Sequence, residues 1–177
     1  LQRNPVRKSV IPEHLDLTGL PVLVVDDNAT NRRILEDLLT NWCMEPIVVE
    51  SGQAALMALY EANEAGRPFP LMLLDCHMPE MDGFEVATEI RKRPAMAETT
   101  IVMLTSAGQV GDNLRCRELG FAACLIKPVR QAELLSTIVK VIGSSLAAAE
   151  PATPPRPAMP LPSAPPPSQL PPPTQLP

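Results

Sequence analysis

Five side chains in this 177-residue chain have the types and the placement to act together: Asp26, Asp27, Asp75, Thr105 and Lys127. Each stands at the end of a short apolar run. Asp26 and Asp27 follow PVLVV, Asp75 closes LMLLD, Thr105 closes TIVMLT, and Lys127 follows AACLI. Continuous apolar runs are the mark of strands buried on both faces of a parallel sheet, and such sheets bind their ligands beyond the carboxyl ends of the strands. Three carboxylates converging there repel, and each resists ionising unless a cation compensates. Oxygen donors without imidazole or thiolate favour magnesium, which keeps several waters and takes one or two carboxylates directly. Lys127 adds a fixed positive charge and Thr105 a hydroxyl. The set suits a phosphoryl group carried on a carboxylate: metal and lysine neutralise developing charge, the hydroxyl holds one oxygen, and Asp75 attacks in line. The turn-forming CHMPEMDG that follows Asp75 leaves room for metal and donor.

To bring these residues together the chain needs five strands, at about 21–25, 46–50, 71–75, 100–105 and 122–126. Helical periodicity fills the gaps between them. In NATNRRILEDLLTNW, residues Ile34, Leu35, Leu38, Leu39 and Trp42 recur on one helical face. Ser51 caps a helix through Ala55 and Leu59. A helix from about Arg130 carries Leu134, Leu135, Ile138, Val139, Val141 and Ile142. The fourth helix, GQVGDNLRCRELG (108–120), has the thinnest stripe, Val110 and Leu114. Strands alternating with helices make a doubly wound α/β sandwich around a five-stranded parallel sheet.

Composition bounds the rest. An apolar content of 45% with 3% aromatics describes an aliphatic core. The net charge of −5 disfavours a nucleic-acid partner. The four cysteines, Cys43, Cys76, Cys116 and Cys124, form no CxxC pair, which argues against structural zinc and a disulfide framework and for a reducing, cytoplasmic location. No run approaches the ~18 apolar residues of a membrane helix, so no membrane contact by this segment is expected. The first residues, LQRNPVRKSV, lack the apolar centre of a signal peptide, and the leading Leu is read as a processed or excised start. From Pro151 to Pro177, 13 of 27 residues are proline and Arg156 is the only charge, the composition of an extended linker. The expected organisation is an N-terminal linker over 1–19, a folded domain over 20–147 and a proline-rich disordered linker over 148–177.

VLVVDDN, LLDCHMPEMDGFE, IVMLTSAG and LIKPV, in that order, resemble the motifs of the response-regulator receiver domains of two-component signalling. Asp75 and Thr105 are 30 residues apart and Thr105 and Lys127 are 22 apart, which matches the family's spacing. The resemblance covers about residues 20 to 145. It implies a CheY-like, flavodoxin-like (βα)5 fold with strand order 2-1-3-4-5. It also implies that Asp75 is the phosphoacceptor and that Asp27 binds Mg2+ directly, with Asp26 acting through water. The backbone carbonyl of His77 would be the third protein ligand. Thr105 would be the switch hydroxyl and Lys127, before a cis bond to Pro128, the partner of a phosphoryl oxygen. Partners would be a histidine kinase or phosphotransfer domain, with a weak homodimer compatible. Output would run through the surface of the fourth helix, fifth strand and last helix. At the family's usual aromatic switch position stands Cys124. His77 and Ala107 occupy positions that tune phosphoryl lifetime, and neither places an attacking water, so slow decay is expected.

Other readings fit less well. Asp26 and Asp27 alone could cap the first helix, His77 reads as a turn side chain, and His14 reads as linker. A phosphohydrolase with an aspartyl-phosphate intermediate needs a second carboxylate where His77 stands. A nucleotide binder needs a Gly- or Ser/Thr-rich loop where DDNAT places two negative charges. A degenerate receiver serving only as a protein-interaction module would not need all five site residues. The stretch LTGLPVLVVDDNATNRRILEDLLTNW resembles receivers of hybrid sensor histidine kinases, which implies a receiver module, not an enzyme by itself, from a parent that could be membrane-anchored.

Overall fold

A computed structural model describes residues 16–106, 115, 116 and 118–149. The sequence expectations for His14, Ala107, Val110, Leu114 and the proline-rich tail lie outside the described residues. The elements run β1 (Pro21–Val25), α1 (Ala29–Asn41), β2 (Glu45–Val49), α2 (Gly52–Glu64), β3 (Leu71–Asp75), α3 (Gly83–Arg91), a 3-10 turn (Pro94–Met96), β4 (Thr100–Ser106), β5 (Ala123–Lys127) and α4 (Gln131–Ala149). The five strands form one parallel sheet in the order β2-β1-β3-β4-β5. That is the doubly wound, flavodoxin-like architecture expected.

The central strands are apolar throughout because both faces are covered. All five residues of β3 are buried, as are Val22 to Val25 of β1. Alternation sends Leu23, Val25, Met72, Leu74, Ile101 and Met103 to one core with α2 and α3. Val22, Val24, Leu71, Leu73, Val102 and Leu104 enter the other core, with Leu35 and Leu39 of α1 and Leu134 and Ile138 of α4. Leu17, just before β1, joins this second core.

Most helix starts are fixed by side chains that accept the first free N–H groups. Asn28 caps α1, accepting from the N–H of Thr30 and Asn31. Ser51 caps α2 as expected. Asp82 and Glu85 form a reciprocal capping box at α3. One expectation for α1 changes: Ile34 is 53% exposed, so the helix buries Leu35 and Leu39 and turns Ile34 outward.

Candidate functional site

The strand register sets the site. Asp75 ends β3 level with Leu104 of β4, and Thr105 and Ser106 lie level with Ile126 and Lys127 of β5. Asp26 and Asp27 follow β1, which lies on the other side of β3. Asp26, Asp75 and Thr105 are buried, while Asp27 is exposed. One carboxylate oxygen from each of Asp26, Asp27 and Asp75 can be chosen so that all lie within 4.8 Å of one another. Hard oxygen donors at this separation suit a divalent cation such as Mg2+.

Lys127 bridges two of the acids. Its Nζ lies 2.7 Å from Oδ2 of Asp26 and 2.8 Å from Oδ1 of Asp75. Burial pushes the Asp75 carboxyl above the usual carboxylate range, and the hydrogen bond and charge of Lys127 offset only part of that rise. For Lys127, burial alone would lower the pKa, but the hydrogen bonds and charges of Asp26 and Asp75 outweigh it and hold the ammonium above 10.5. The Lys127–Pro128 bond is cis.

Asp26 is held on every side. Its Oδ1 accepts from the backbone N–H of Asn28 at 2.9 Å, and the Asn31 carboxamide donates to both oxygens at 3.3 and 3.2 Å. Arg32 donates Nη1 to the backbone carbonyls of Asp26 at 2.8 Å and Asp27 at 3.0 Å. The sequence reading assigned neither Asn31 nor Arg32. The only signal was their place one turn inside α1, where a side chain can reach back over the loop. His77 is exposed, and its N–H donates to Oδ1 of Asp75 at 3.4 Å.

The turn after Asp75 is closed by a glycine. Gly83 donates its N–H to the Cys76 carbonyl at 2.9 Å, and a Cβ on Gly83 would stand 2.4 Å from the Asp75 carbonyl oxygen. The first turn of α3 therefore lies directly on the end of β3. Cys124 packs, partly buried, against the core of α2 and α3. Aromatic packing there comes from Phe84 and Phe121, with centroids 6.0 Å apart. Arg115 lies 4.2 Å over Phe84 and Arg91 5.4 Å over Phe121.

Beside the acids, a groove of about 450 Å³ runs between α1 and the loop after β5. Ile34, Leu35, Leu38 and Val129 give it an apolar wall, and Asp26 and Lys127 stand at its polar end.

The family model of the response regulator receiver domain matches residues 22–139. The chain belongs to the response regulator receiver family. Residues 22–139 are thus a receiver domain of two-component signalling. Among the relatives, the "Probable transcriptional regulator ycf27" of Pyropia yezoensis is 36% identical over 121 residues, which cover 68% of this chain and 46% of that one. The "Hybrid signal transduction histidine kinase L" of Dictyostelium discoideum is 34% identical over 122 residues, 67% of this chain and 7% of that one. The chain thus spans less than half the length of either. A solved receiver domain, from sensor histidine kinase PA1611 of Pseudomonas aeruginosa PAO1 with magnesium coordinated in its active-site cleft, superposes with a TM-score of 0.61. It is 28% identical and covers 71% of this chain and 99% of that one.

Proposed function

We propose that this receiver domain, taken as residues 20–147 between linkers, accepts a phosphoryl group from a phosphohistidine onto Asp75 in the presence of Mg2+. The observation that carries the reading is the meeting of Asp26, Asp27 and Asp75 within 4.8 Å, with Lys127 bonded to two of them. Asp27, Asp75 and the His77 carbonyl would hold the metal, with Asp26, whose oxygens already receive Lys127, Asn28 and Asn31, reaching it through water. When bound, the cation neutralises charge on the phosphoryl oxygens.

The chain's own residues do the remainder. An oxygen of Asp75 forms a bond to phosphorus as the phosphorus–nitrogen bond of the donor breaks, and the imidazole nitrogen keeps the electron pair. Lys127 moves its ammonium from the Asp75 carboxylate to a phosphoryl oxygen. Thr105 donates its hydroxyl to another. The groove beside Lys127 receives the apolar face of the donor's histidine-bearing helix, Ile34 giving its outer wall. The aromatic half of the usual switch is absent at Cys124, so output runs through loop and helix shifts toward the surface of β5 and α4.

Phosphoryl incorporation from acetyl phosphate tests the reading. We expect label that requires Mg2+, is released by hydroxylamine and is missing from Asp75→Asn. Equal label on Asp75→Asn would overturn the assignment. Magnesium binding without label from acetyl phosphate or a phosphohistidine donor would favour a receiver that only binds proteins.

A further inference from the structure

We infer that Arg32 is a positioning residue for the divalent cation, holding the β1–α1 loop in the shape that binds it. The inference rests on the receiver reading above and extends it to a residue that touches neither metal nor phosphoryl group. Arg32 lies one turn inside α1 with its side chain only 18% exposed. Its Nη1 is shared by two consecutive carbonyls, those of Asp26 and Asp27, at 2.8 and 3.0 Å. Its Nη2 lies 3.5 Å from Glu50, just past β2. The guanidinium therefore ties the end of β1 to the end of β2 and to α1 at one point.

That placement acts on the acids through the backbone of the loop. Pinning successive carbonyls fixes the peptide between Asp26 and Asp27, and so the direction in which each side chain leaves the backbone. This matters most for Asp27, whose exposed carboxylate is aimed by its backbone, whereas Asp26 is also gripped through its side chain. The guanidinium is also a permanent cation, its charge answered by Glu50 at 3.5 Å, so its hold on the carbonyls does not depend on the charge state of the acids. Unlike Lys127, it does not have to leave when a phosphoryl group arrives. A planar fork with several donors in fixed directions can serve both carbonyls and Glu50, and a lysine ammonium on a flexible stem matches that geometry poorly. Groups that orient metal ligands from behind are commonly worth about ten- to a hundredfold in metal affinity.

Magnesium binding, measured calorimetrically without any phosphodonor on the native chain, Arg32→Lys and Arg32→Met, tests this. Circular dichroism establishes that each variant is folded. We expect Arg32→Met to bind Mg2+ about tenfold more weakly and Arg32→Lys to fall between it and the native chain. The rate of labelling at saturating Mg2+ should recover toward the native rate, because Arg32 acts on the site's shape and not on the reaction. Native Mg2+ affinity in the folded variants, with only their melting temperature lowered, would show a structural role and overturn the inference alone. A native chain that binds no Mg2+ would overturn the receiver reading's metal and this inference with it. Should Arg32→Met not fold, Arg32→Lys, which keeps the charge and loses the fork, decides the question.

Discussion

Lys127 answers two buried carboxylates with one ammonium, at 2.7 and 2.8 Å. Removing one partner from such a cluster leaves charge buried without compensation and costs about 3 kcal/mol. Because the Lys127 pKa stands above its ordinary 10.5, the stabilisation is complete below that value and is lost as pH rises through the elevated pKa. Urea denaturation in metal-free buffer is therefore expected to find Lys127→Met less stable than the native chain by about 3 kcal/mol at pH 7. The gap should narrow above pH 10.5. A gap constant with pH would place the cost in lost packing and not in the ammonium. At this scale the sequence was informative where chemistry sits at strand ends. Asp26, Asp27, Asp75 and Lys127 were named together because apolar runs end at each of them. Asn31 and Arg32 were not, since their work is done through hydrogen bonds to a carboxylate and to backbone carbonyls, and no residue pattern announces a bond to a carbonyl.

The helices reach the site through close backbone contacts. A methyl group on Gly83 would meet the Asp75 carbonyl oxygen at 2.4 Å and the Cys76 Cα at 3.1 Å, both backbone atoms. On Gly52 it would meet the side chains of Val86 and Met81. Overpacking costs about 1–3 kcal/mol. Gly83→Ala should stand at the upper end of that range and slow labelling of Asp75, because α3 must lift off the end of β3. Gly52→Ala should cost somewhat less, since its contacts are side chains and not backbone: Met81 can rotate away, while the buried, stiff Val86, whose Cγ2 would lie 2.5 Å off, must be pushed aside. Denaturation midpoints and labelling rates of the two variants check the order. Asn28→Ala removes the acceptor for two N–H groups at the start of α1 and should cost about 1 kcal/mol by the same denaturation measurement. The strands were legible to within a residue at each end, most securely β1, β3 and β4, because strands covered on both faces must be apolar throughout. Ile34 misled for the opposite reason: a helix stripe five residues wide is broader than the core it covers, and periodicity alone does not say which flank faces outward.

Seen whole, the molecule places an apolar groove against its acids, and on the proposed reading a protein donor should sense that groove where a small one does not. Ile34→Glu sets a charge on the apolar wall. It is expected to slow transfer from a phosphohistidine protein by about tenfold, the effect of roughly 1.4 kcal/mol at an interface, while transfer from acetyl phosphate changes far less. Equal slowing with both donors would move the docking surface elsewhere. One border of the sheet is built to refuse company. β2 is the outermost strand beside β1, and its second residue is Pro46. Proline has no N–H to offer a neighbouring strand, and natural sheets use it on such borders to discourage uninvited pairing. Many proteins with this same fold, each with a similar outer strand, could otherwise zip together border to border into insoluble ribbons. Pro46 takes one rung out of that zipper.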